Sequence, residues 1–212
     1  MSAVGHLEVL VEEPSMELAL RQLLPKMLGS AITFEIYAFQ CKSQMLSKLA
    51  ERLQGYARWL PPDWRIVVVL DRDDDPCLEL KRRLVRMAED AGLKPKTPEA
   101  GVSYQVVHRI AVEELEAWFF GDPQALRAAY PRLPAAFESK RPYRTPDLIQ
   151  GGTWEALQRL LQKAGYFESG LRKLELAREV SRRMEPERNT SPSFRVFRAA
   201  LEQLRAASDP RN

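Results

Sequence analysis

Two aspartates, Asp71 and Asp73, directly follow an unusually apolar run, and their types and spacing could support metal chemistry. Residues 66–70 are five consecutive apolar residues, mostly β-branched, and such a run predicts a strand buried on both faces. Ligand sites of open α/β sheets lie beyond the carboxyl ends of the strands. Two carboxylates at such an end can flank one divalent cation, and Mg²⁺ prefers one or two carboxylates with water and phosphate oxygens. The pattern therefore predicts a metal site at this strand end.

The same acidic run also has a structural explanation. Asp75 precedes Pro76, and this pair is typical of a helix start with Asp75 as the N-cap. Asp74 would then be favoured by the positive end of the helix dipole. We therefore expect Asp75 to be structural. We expect Asp71 and Asp73 to be metal ligands, because like charges this close repel unless a cation or a basic residue neutralises them.

Composition indicates an ordinary globular protein. The chain has 212 residues, 45% hydrophobic and 29% charged, which fits one domain or one domain with an appendage. We find no apolar run of membrane-spanning length and no signal peptide. The two cysteines and two histidines are widely separated, which predicts no zinc site, no disulfide framework and a cytoplasmic location. The net charge is only +3, but basic clusters flank the acidic middle and are either phosphate-binding surface or solvated helix faces.

Strands and helices alternate over the first 120 residues, which predicts an α/β fold with a mainly parallel sheet flanked by helices. The predicted strands cover residues 7–12, 32–39, 66–70 and 103–110, and the first three predicted helices cover 16–28, 42–60 and 76–91. A short helix at 111–120 would place Glu113 and Glu116 on one face. Asp122 and Pro123 predict the start of a helix to about Tyr130, and three more helices are expected at 154–164, 170–184 and 193–207. We divide the chain into a core, 1–130, and a basic, mainly helical extension packed on it, 131–212.

The acidic motifs resemble the Toprim fold, the metal-binding module of topoisomerases, bacterial primases and overcoming-lysogenization-defect nucleases. That pattern begins with a strand running into Glu-Gly, often followed by Pro-Thr-Glu. Here Pro14-Ser15 matches Pro-Thr and aligns Glu12 with the first acidic residue of the family. Glu13 stands at the glycine position and Met16 at the second glutamate position, which leaves open whether Glu13 or Glu17 has a ligand role. The Asp-x-Asp of the family matches residues 71–73.

The whole chain resembles more specifically the bacterial DUF4276 family of unknown function within the Toprim superfamily. The stretches that carry this resemblance are 11–17, 71–74, 109–118, Asp122 and 189–194. The resemblance implies a Toprim-like core of about four strands and a nuclease-like component, often encoded beside an ABC-type ATPase in anti-phage defence. Related defence proteins carry Glu-x-Trp on a helix after the Asp-x-Asp, which points to Glu116.

Phosphodiester cleavage requires charge neutralisation on the phosphate and a deprotonated water, and Mg²⁺ or Mn²⁺ can supply both. We expect Glu12, Asp71 and Asp73 to hold a first ion. Glu116, with Glu113 or Glu17, would hold a second ion or act as general base. The full predicted set is Glu12, Asp71, Asp73 and Glu116 as catalytic residues, these four with Glu13, Glu17 and Glu113 as metal ligands, and Lys42 and Arg109 as phosphate contacts.

Several of these residues have structural alternatives. Glu17 can be a first-turn glutamate favoured by the helix dipole, and Lys42 can simply face solvent. Arg109 can instead neutralise the carboxylates. We expect Glu114 to be solvated, and residues 118–120 to be core rather than a base-stacking platform, because no polar residues interleave them.

The leading functional hypothesis is a metal-dependent nuclease acting on DNA or RNA. The altered Glu-Gly motif motivates an alternative, a catalytically inactive Toprim-like binding subunit of an ATPase complex. The chain has no Walker loop, so any ATP chemistry must come from another polypeptide. A third class, glycosyltransferases or phosphatases with Asp-x-Asp after a strand, is disfavoured by the acidic end of the first strand and the glutamates at 113–116. Oligomeric state is left open, and a homo-oligomer remains an option.

Overall fold

The computed structural model describes residues 3–98, 103–170 and 172–208. Four strands form one sheet: β1 (His6–Val11), β2 (Thr33–Ala38), β3 (Trp64–Asp71) and β4 (Val106–Ala111). Their order is β2-β1-β3-β4, and every neighbouring pair runs parallel. The described residues also form eight α-helices: α1 (Pro14–Leu28), α2 (Lys42–Ala57), α3 (Cys77–Asp90), α4 (Leu115–Phe120), α5 (Pro123–Ala129), α6 (Thr153–Lys163), α7 (Lys173–Ser181) and α8 (Pro192–Ala206). The predicted fold class, an α/β protein with a parallel sheet flanked by helices, is confirmed.

Strand β3 lies inside the sheet, between β1 and β4. All of its residues after Trp64 are buried, as the continuous apolar run predicts for a strand covered on both faces. Its side chains alternate between the two layers. Val67 and Val69 join the core beneath α1, whereas Val68 and Leu70 join the core beneath α2 and α3. Asp71 therefore emerges from the centre of the sheet, with helices on either side.

The C-terminal helices complete the cover of one face of the sheet. Helix α1 packs against α7 and α8, and Leu157, Leu176, Phe194 and Phe197 belong to the same buried cluster as the side chains of α1. Residue 171 and residues 209–212 lie outside the described part of the predicted extension. The division of the chain at residue 130 stays a prediction.

Two predicted helix starts are wrong, and both change the expected site. Ala111 still pairs with Asp71 in the sheet, so α4 begins only at Leu115 and Glu113 precedes it. Glu113 and Glu116 therefore do not share a helix face. Helix α3 begins at Cys77 with Pro76 at the N-cap position. Asp75 does not cap it, because its carboxylate lies 2.6 Å from the Lys42 Nζ instead.

Several features outside the sheet bear on the sequence predictions, beginning with the helix start at Asp122. The predicted N-cap Asp122 accepts a hydrogen bond from the Ala125 amide at 3.1 Å. Cys41 and Cys77 are exposed free thiols. Within the described ranges, no helix is both long enough and apolar enough to cross a membrane. Residues 99–102, between the predicted helix at 76–91 and the predicted strand at 103–110, lie outside the described residues.

Candidate functional site

Two buried carboxylates, Glu12 and Asp71, lie together at the carboxyl edge of the sheet, and a third, Glu116, acts on Asp71 through its charge. We call these three the inner carboxylates. Strands β1 and β3 are paired neighbours, so Glu12, which follows β1, lies beside the end of β3. The Glu12 Oε2 accepts a hydrogen bond from the Asp71 amide at 3.0 Å. Glu116 comes from α4, close enough that its charge raises the pKa of Asp71. The three residues are 7%, 6% and 3% exposed, respectively.

Burial dominates the electrostatics of this cluster. It raises the pKa of Glu12 to about 7, and the neighbouring Asp73 adds to the effect. Burial likewise raises the pKa of Glu116 to about 7. The pKa of Asp71 lies well above its ordinary value, first because of burial and then because of the charges of Glu12 and Glu116. The cluster therefore disfavours full ionisation, and a bound cation would relieve both the burial penalty and the mutual repulsion.

One oxygen of the cluster is left without a partner. Asp71 Oδ1 is buried and has no hydrogen-bond partner among the described residues, although buried polar atoms are normally paired. Carboxylate oxygens are the ligands that Mg²⁺ and Mn²⁺ prefer, so the donor chemistry fits a divalent ion. Within residues 3–98, 103–170 and 172–208, however, no three aspartate, glutamate, histidine or cysteine side chains stand in a ready-made metal arrangement. Binding would require the side chains to adjust.

Glu116 is held in place by contacts made to α4 from Asn189, before α8, and from Ser193, in the first turn of α8. The Asn189 side chain donates to the Trp118 carbonyl at 2.7 Å, and Trp118 Nε1 donates to Ser193 Oγ at 3.0 Å. Gly121 allows this close approach, because a Cβ there would collide with the Asn189 side chain and lie 2.9 Å from the Ser191 nitrogen. The 189–194 segment thus contributes to the site by positioning α4.

Lys173, the first residue of α7, is a basic member of the site that sequence reasoning did not single out. Its Nζ lies 4.0 Å from Glu13 Oε1. Burial alone would lower its pKa, but the charges of Glu116 and Glu13 raise it overall. In the sequence, Lys173 is only one member of a basic pair, 57 residues after Glu116 and 160 residues after Glu13. The contact arises because α7 packs on α1, which no local pattern encodes.

A second acidic group surrounds a cavity of about 500 Å³ next to the inner carboxylates. We call its members the outer carboxylates: Asp73, Asp74, Glu113, Glu114 and Glu155. Asp73 takes a left-handed backbone conformation with φ of 48°, which aspartate tolerates. Its carboxylate lies 3.1 Å from Lys42 Nζ, and its side chain is 45% exposed. The two aspartates of Asp-x-Asp therefore have different surroundings, although the charge of Asp73 still acts on Asp71.

Lys42, predicted as a phosphate contact, is occupied by other groups. Its Nζ donates to the Arg72 carbonyl at 2.7 Å and contacts Asp73 and Asp75 at 3.1 and 2.6 Å. Burial lowers its pKa, but the hydrogen bonds with Asp75 and Asp73 raise it overall. In this arrangement Lys42 neutralises the turn after β3, and a phosphate would have to displace a carboxylate to reach it.

The remaining predicted glutamates divide between the site and the surface. Glu13 accepts a hydrogen bond from the Ser15 hydroxyl, and its charge raises the pKa of Glu12, Asp71 and Glu116. Glu17 instead pairs with Arg21 at 2.7 Å. Of the two glutamates left open by the sequence, Glu13 is therefore the one shown to act on the inner carboxylates.

The glutamates that precede α4 are partly neutralised. Glu113 lies 3.9 Å from the Arg72 guanidinium, and burial raises its pKa. Glu114 accepts hydrogen bonds from Thr153 Oγ1 at 2.9 Å and from the Trp154 amide at 2.8 Å. The prediction that Glu114 is solvated is wrong, because it binds the amino end of α6, where amide groups lack helical partners.

Arg109, the other predicted phosphate contact, lies on β4. Its Nη1 donates to the His108 carbonyl at 2.6 Å. It makes no ion pair with any described carboxylate, so its interpretation as the neutralising partner finds no support. Lys42, Arg72 and Lys173 are the basic residues that contact the acidic groups.

Two solved structures resemble this chain. The C-terminal region of the Burkholderia pseudomallei OLD protein has a TM-score of 0.50 and 17% identity, with 98% of this chain and 100% of that chain covered. The C-terminal region of the Xanthomonas campestris pv. campestris OLD protein has a TM-score of 0.46 and 16% identity, with 95% of each chain covered. At 17% identity, the similarity to the Burkholderia pseudomallei protein establishes a shared fold and nothing more.

A comparison with curated proteins found no match. The profile of DUF4276, described as a domain of unknown function, matches residues 11–202. That range includes the inner carboxylates, Lys173 and the segment that positions α4. The chain therefore belongs to the DUF4276 family.

Proposed function

We propose that this protein is a divalent-metal-dependent nuclease of the Toprim type, which hydrolyses phosphodiester bonds in DNA or RNA. The observation that carries the proposal is the group of three buried carboxylates at one sheet edge, in which Glu12 and Glu116 act on Asp71 and Asp71 Oδ1 has no partner among the described residues. Carboxylates that are buried together without full neutralisation are typical of functional sites. The fold shared with the C-terminal region of an OLD protein is consistent with it.

In this proposal, Glu12 and Asp71 would hold the Mg²⁺ or Mn²⁺, with Glu116 beside them. When bound, the metal would polarise a phosphoryl oxygen and lower the pKa of its water. Glu116 could accept the proton of the attacking water, because a base is most effective with a pKa near the working pH and burial brings that of Glu116 to about 7. The Lys173 ammonium would stabilise negative charge on the phosphate. Glu13 and Asp73 border this group and are the candidates for a second ion.

The direct test is Asp71→Ala in the full chain, assayed on single- and double-stranded DNA and on RNA with Mg²⁺ or Mn²⁺. We expect the divalent-dependent cleavage to be abolished. Asp74→Ala removes one carboxylate from the outer group and should retain activity. Circular dichroism should show both variants folded, and equal cleavage by the Asp71→Ala variant and the parent would reject the catalytic assignment.

A non-catalytic alternative has its own supporting observation. Asp73 is held by Lys42, and the described carboxylates form no ready-made metal arrangement. Both fit a Toprim-like subunit that binds an ABC-type ATPase without cleaving nucleic acid. Its signature would be a stable complex with an ATPase encoded nearby that survives the simultaneous substitution of Glu12, Asp71, Asp73 and Glu116, together with no cleavage by the parent complex.

The biological setting we propose is anti-phage defence with an ATPase partner. It rests on the resemblance of the sequence motifs to defence nucleases. Loss of protection against phage in cells that carry the Asp71→Ala variant beside an intact ATPase would support it, whereas undiminished protection would contradict a nuclease effector.

A further inference from the structure

A second cavity, of about 290 Å³, lies along the outer edge of β4. Strand β4 is at the end of the sheet, so side chains from both of its faces can reach this edge. Lys81 of α3, His108 and Arg109 of β4, and the start of α8 line the cavity. None of the inner carboxylates lines it, and two of its lining residues, Lys81 and Arg109, are basic.

His108 is the buried polar group of this cavity. It is only 4% exposed, and neither ring nitrogen has a hydrogen-bond partner among the described residues. Burial, with smaller effects from Arg109 and Lys81, lowers the pKa of His108 to about 3, so the ring is neutral with one N–H donor and one acceptor. A histidine buried for packing alone would normally find at least one partner. The ring therefore has a donor and an acceptor that no described residue satisfies.

The charges around His108 favour an anion. Arg109 donates one hydrogen bond through Nη1, but its buried Nε has no partner in the part of the chain that the structure describes. Lys81 also lines the cavity and acts on His108 electrostatically. Asp147, the one carboxylate among the described lining residues, already accepts from Ser191 Oγ at 2.6 Å and from the Ser193 amide at 2.7 Å. Two cations therefore face a cavity whose carboxylate is already hydrogen-bonded.

Most of the remaining lining is apolar, with Cys77 and Ser193 as the polar exceptions. Ile110, Val112, Pro192 and Val196 supply the apolar part, and Val196 is 58% exposed. A ligand that matches both parts carries a phosphate for the basic residues and a flat organic group for the apolar ones. A nucleotide has this combination, and the cavity volume is at the lower end of typical small-molecule sites.

The cavity adjoins the acidic edge. Val112 lines it, and the next residue, Glu113, lines the outer acidic cavity. His108 lies three residues before Ala111, which pairs with Asp71. At ~3.3 Å per residue this is roughly 10 Å along the strand. That distance equals about three nucleotide steps at the ~3.4 Å axial spacing of one strand in a duplex. One nucleic-acid strand could therefore span both places.

We propose that the β4-edge cavity is a phosphate-binding subsite that holds one nucleotide of the strand bound at the inner carboxylates. Lys81, Arg109 and the His108 N–H bind its phosphate, and Ile110 and Val196 contact the base or sugar. The choice of a phosphate ligand rests on the proposed nuclease function. A phosphodiester within a strand and the phosphate of a free mononucleotide share this chemistry, and the experiment separates them.

The test uses the full chain in EDTA, so that no cleavage occurs. Its two histidines, His6 and His108, are labelled with ¹⁵N, and their ring resonances are followed by NMR during titration with inorganic phosphate, a deoxynucleoside monophosphate and a 5′-phosphorylated single-stranded oligonucleotide. We expect saturable shifts of the His108 resonances and none of the His6 resonances. Tighter binding of the oligonucleotide identifies a strand as the source, and equal affinity identifies a free nucleotide.

The matched variants are Lys81→Gln and Arg82→Gln. Both remove one exposed charge from α3, but Arg82 does not line the cavity. We expect Lys81→Gln to weaken the binding about tenfold, as for loss of one charge-assisted hydrogen bond, and Arg82→Gln to change it less than twofold. Unmoved His108 resonances at millimolar ligand, or equal weakening by both variants, would overturn the proposal.

The outcome is independent of catalysis. A protein whose His108 resonances shift but whose metal-dependent cleavage is absent would keep the subsite and reject the nuclease. Cleavage that depends on Asp71 with unmoved His108 resonances would reject only the subsite.

Discussion

The inner and outer carboxylates lie at the same sheet edge and use the same residue types, yet their environments differ. Asp71 ends a central strand and is 6% exposed, whereas Asp73, two residues later, is turned towards Lys42 with 45% of its side chain exposed. Burial raises the pKa of each inner carboxylate. The outer group includes carboxylates that contact Lys42, Arg72 or the amino end of α6. The difference shows that the candidate centre is marked by carboxylates that are buried without enough cations or hydrogen-bond donors to neutralise them. The number of acidic residues alone does not mark it.

The largest expected effect of this difference is on activity. Glu116→Gln preserves shape but removes an inner charge, and we expect divalent-dependent cleavage to fall at least ~100-fold, since even partners of metal ligands cost 10–100-fold when lost. Glu155→Gln makes the same chemical change in the outer group and should reduce the rate less than about threefold. Initial rates on one DNA or RNA substrate measure both. Equal losses would remove the functional distinction between the two groups.

Metal binding should stabilise the protein mainly through the inner group, which would hold the first ion. At pH 8, Mn²⁺ at about 100 times its Kd should stabilise the fold by ~2.7 kcal/mol, which is a rise in Tm of about 5–10 °C for a chain of this size. Asp71→Asn should abolish the rise, and Asp75→Asn, beside Lys42, should retain it. Differential scanning fluorimetry with and without EDTA measures the change. A full rise in the Asp71→Asn variant would place the metal elsewhere.

The pH dependence of stability follows from the raised pKa values of Glu12 and Glu116, about 7 in the folded protein. Above their ordinary pKa, the folded state binds more protons than the unfolded state, so stability falls as the pH rises through 7. His108 acts oppositely, because its pKa is lowered on folding, but its contribution is nearly complete above pH ~6.5. We therefore expect the Tm of the metal-free protein to fall by about 3 °C between pH 6.5 and 8.

Glu116→Gln should flatten this slope, and Asp75→Asn should leave it unchanged. Thermal scans at constant ionic strength in matched buffers measure the effect. A Tm that rises steadily over this interval in metal-free protein would show that the inner carboxylates are not protonated as burial predicts.

The smallest expected effect concerns the outer group. Lys42→Gln leaves Asp73, Asp75 and the Arg72 carbonyl without their shared donor, and because the lysine is only partly buried we expect a cost of about 1 kcal/mol, or ~2 °C in Tm. Arg21→Gln removes an exposed pair with Glu17 and should have almost no effect, as is usual for such pairs. Urea unfolding of both variants compares them. A cost for Lys42→Gln no larger than for Arg21→Gln would mean that the outer charges are not stabilised by their partners.

Much of the fold could be predicted because it depends on local periodicity. The apolar run at 66–70 has the composition of a strand covered on both faces. Asp122 and Pro123 have the residue types of an N-cap and a first helical position, and they predict the start of the helix at 123–129. The errors concern boundaries where tertiary contacts compete with local preference. Asp75 resembles an N-cap, but the Lys42 ammonium binds its carboxylate, and residues 111–114 resemble a helix, but Ala111 is retained by the sheet.

The sequence by itself determined that Glu12 and Asp71 end apolar strands of a parallel sheet, because strand composition and strand ends are local properties. Only the tertiary structure decided that β1 and β3 are neighbours, that Glu116 on α4 reaches them, and that Lys173 on α7 joins Glu13. It also decided that Asp73 contacts Lys42 while Asp71 stays buried. These outcomes depend on strand order and helix packing, which bring together residues as far apart in the sequence as Glu13 and Lys173, separated by 160 positions. Spacing along the chain carries no record of such contacts.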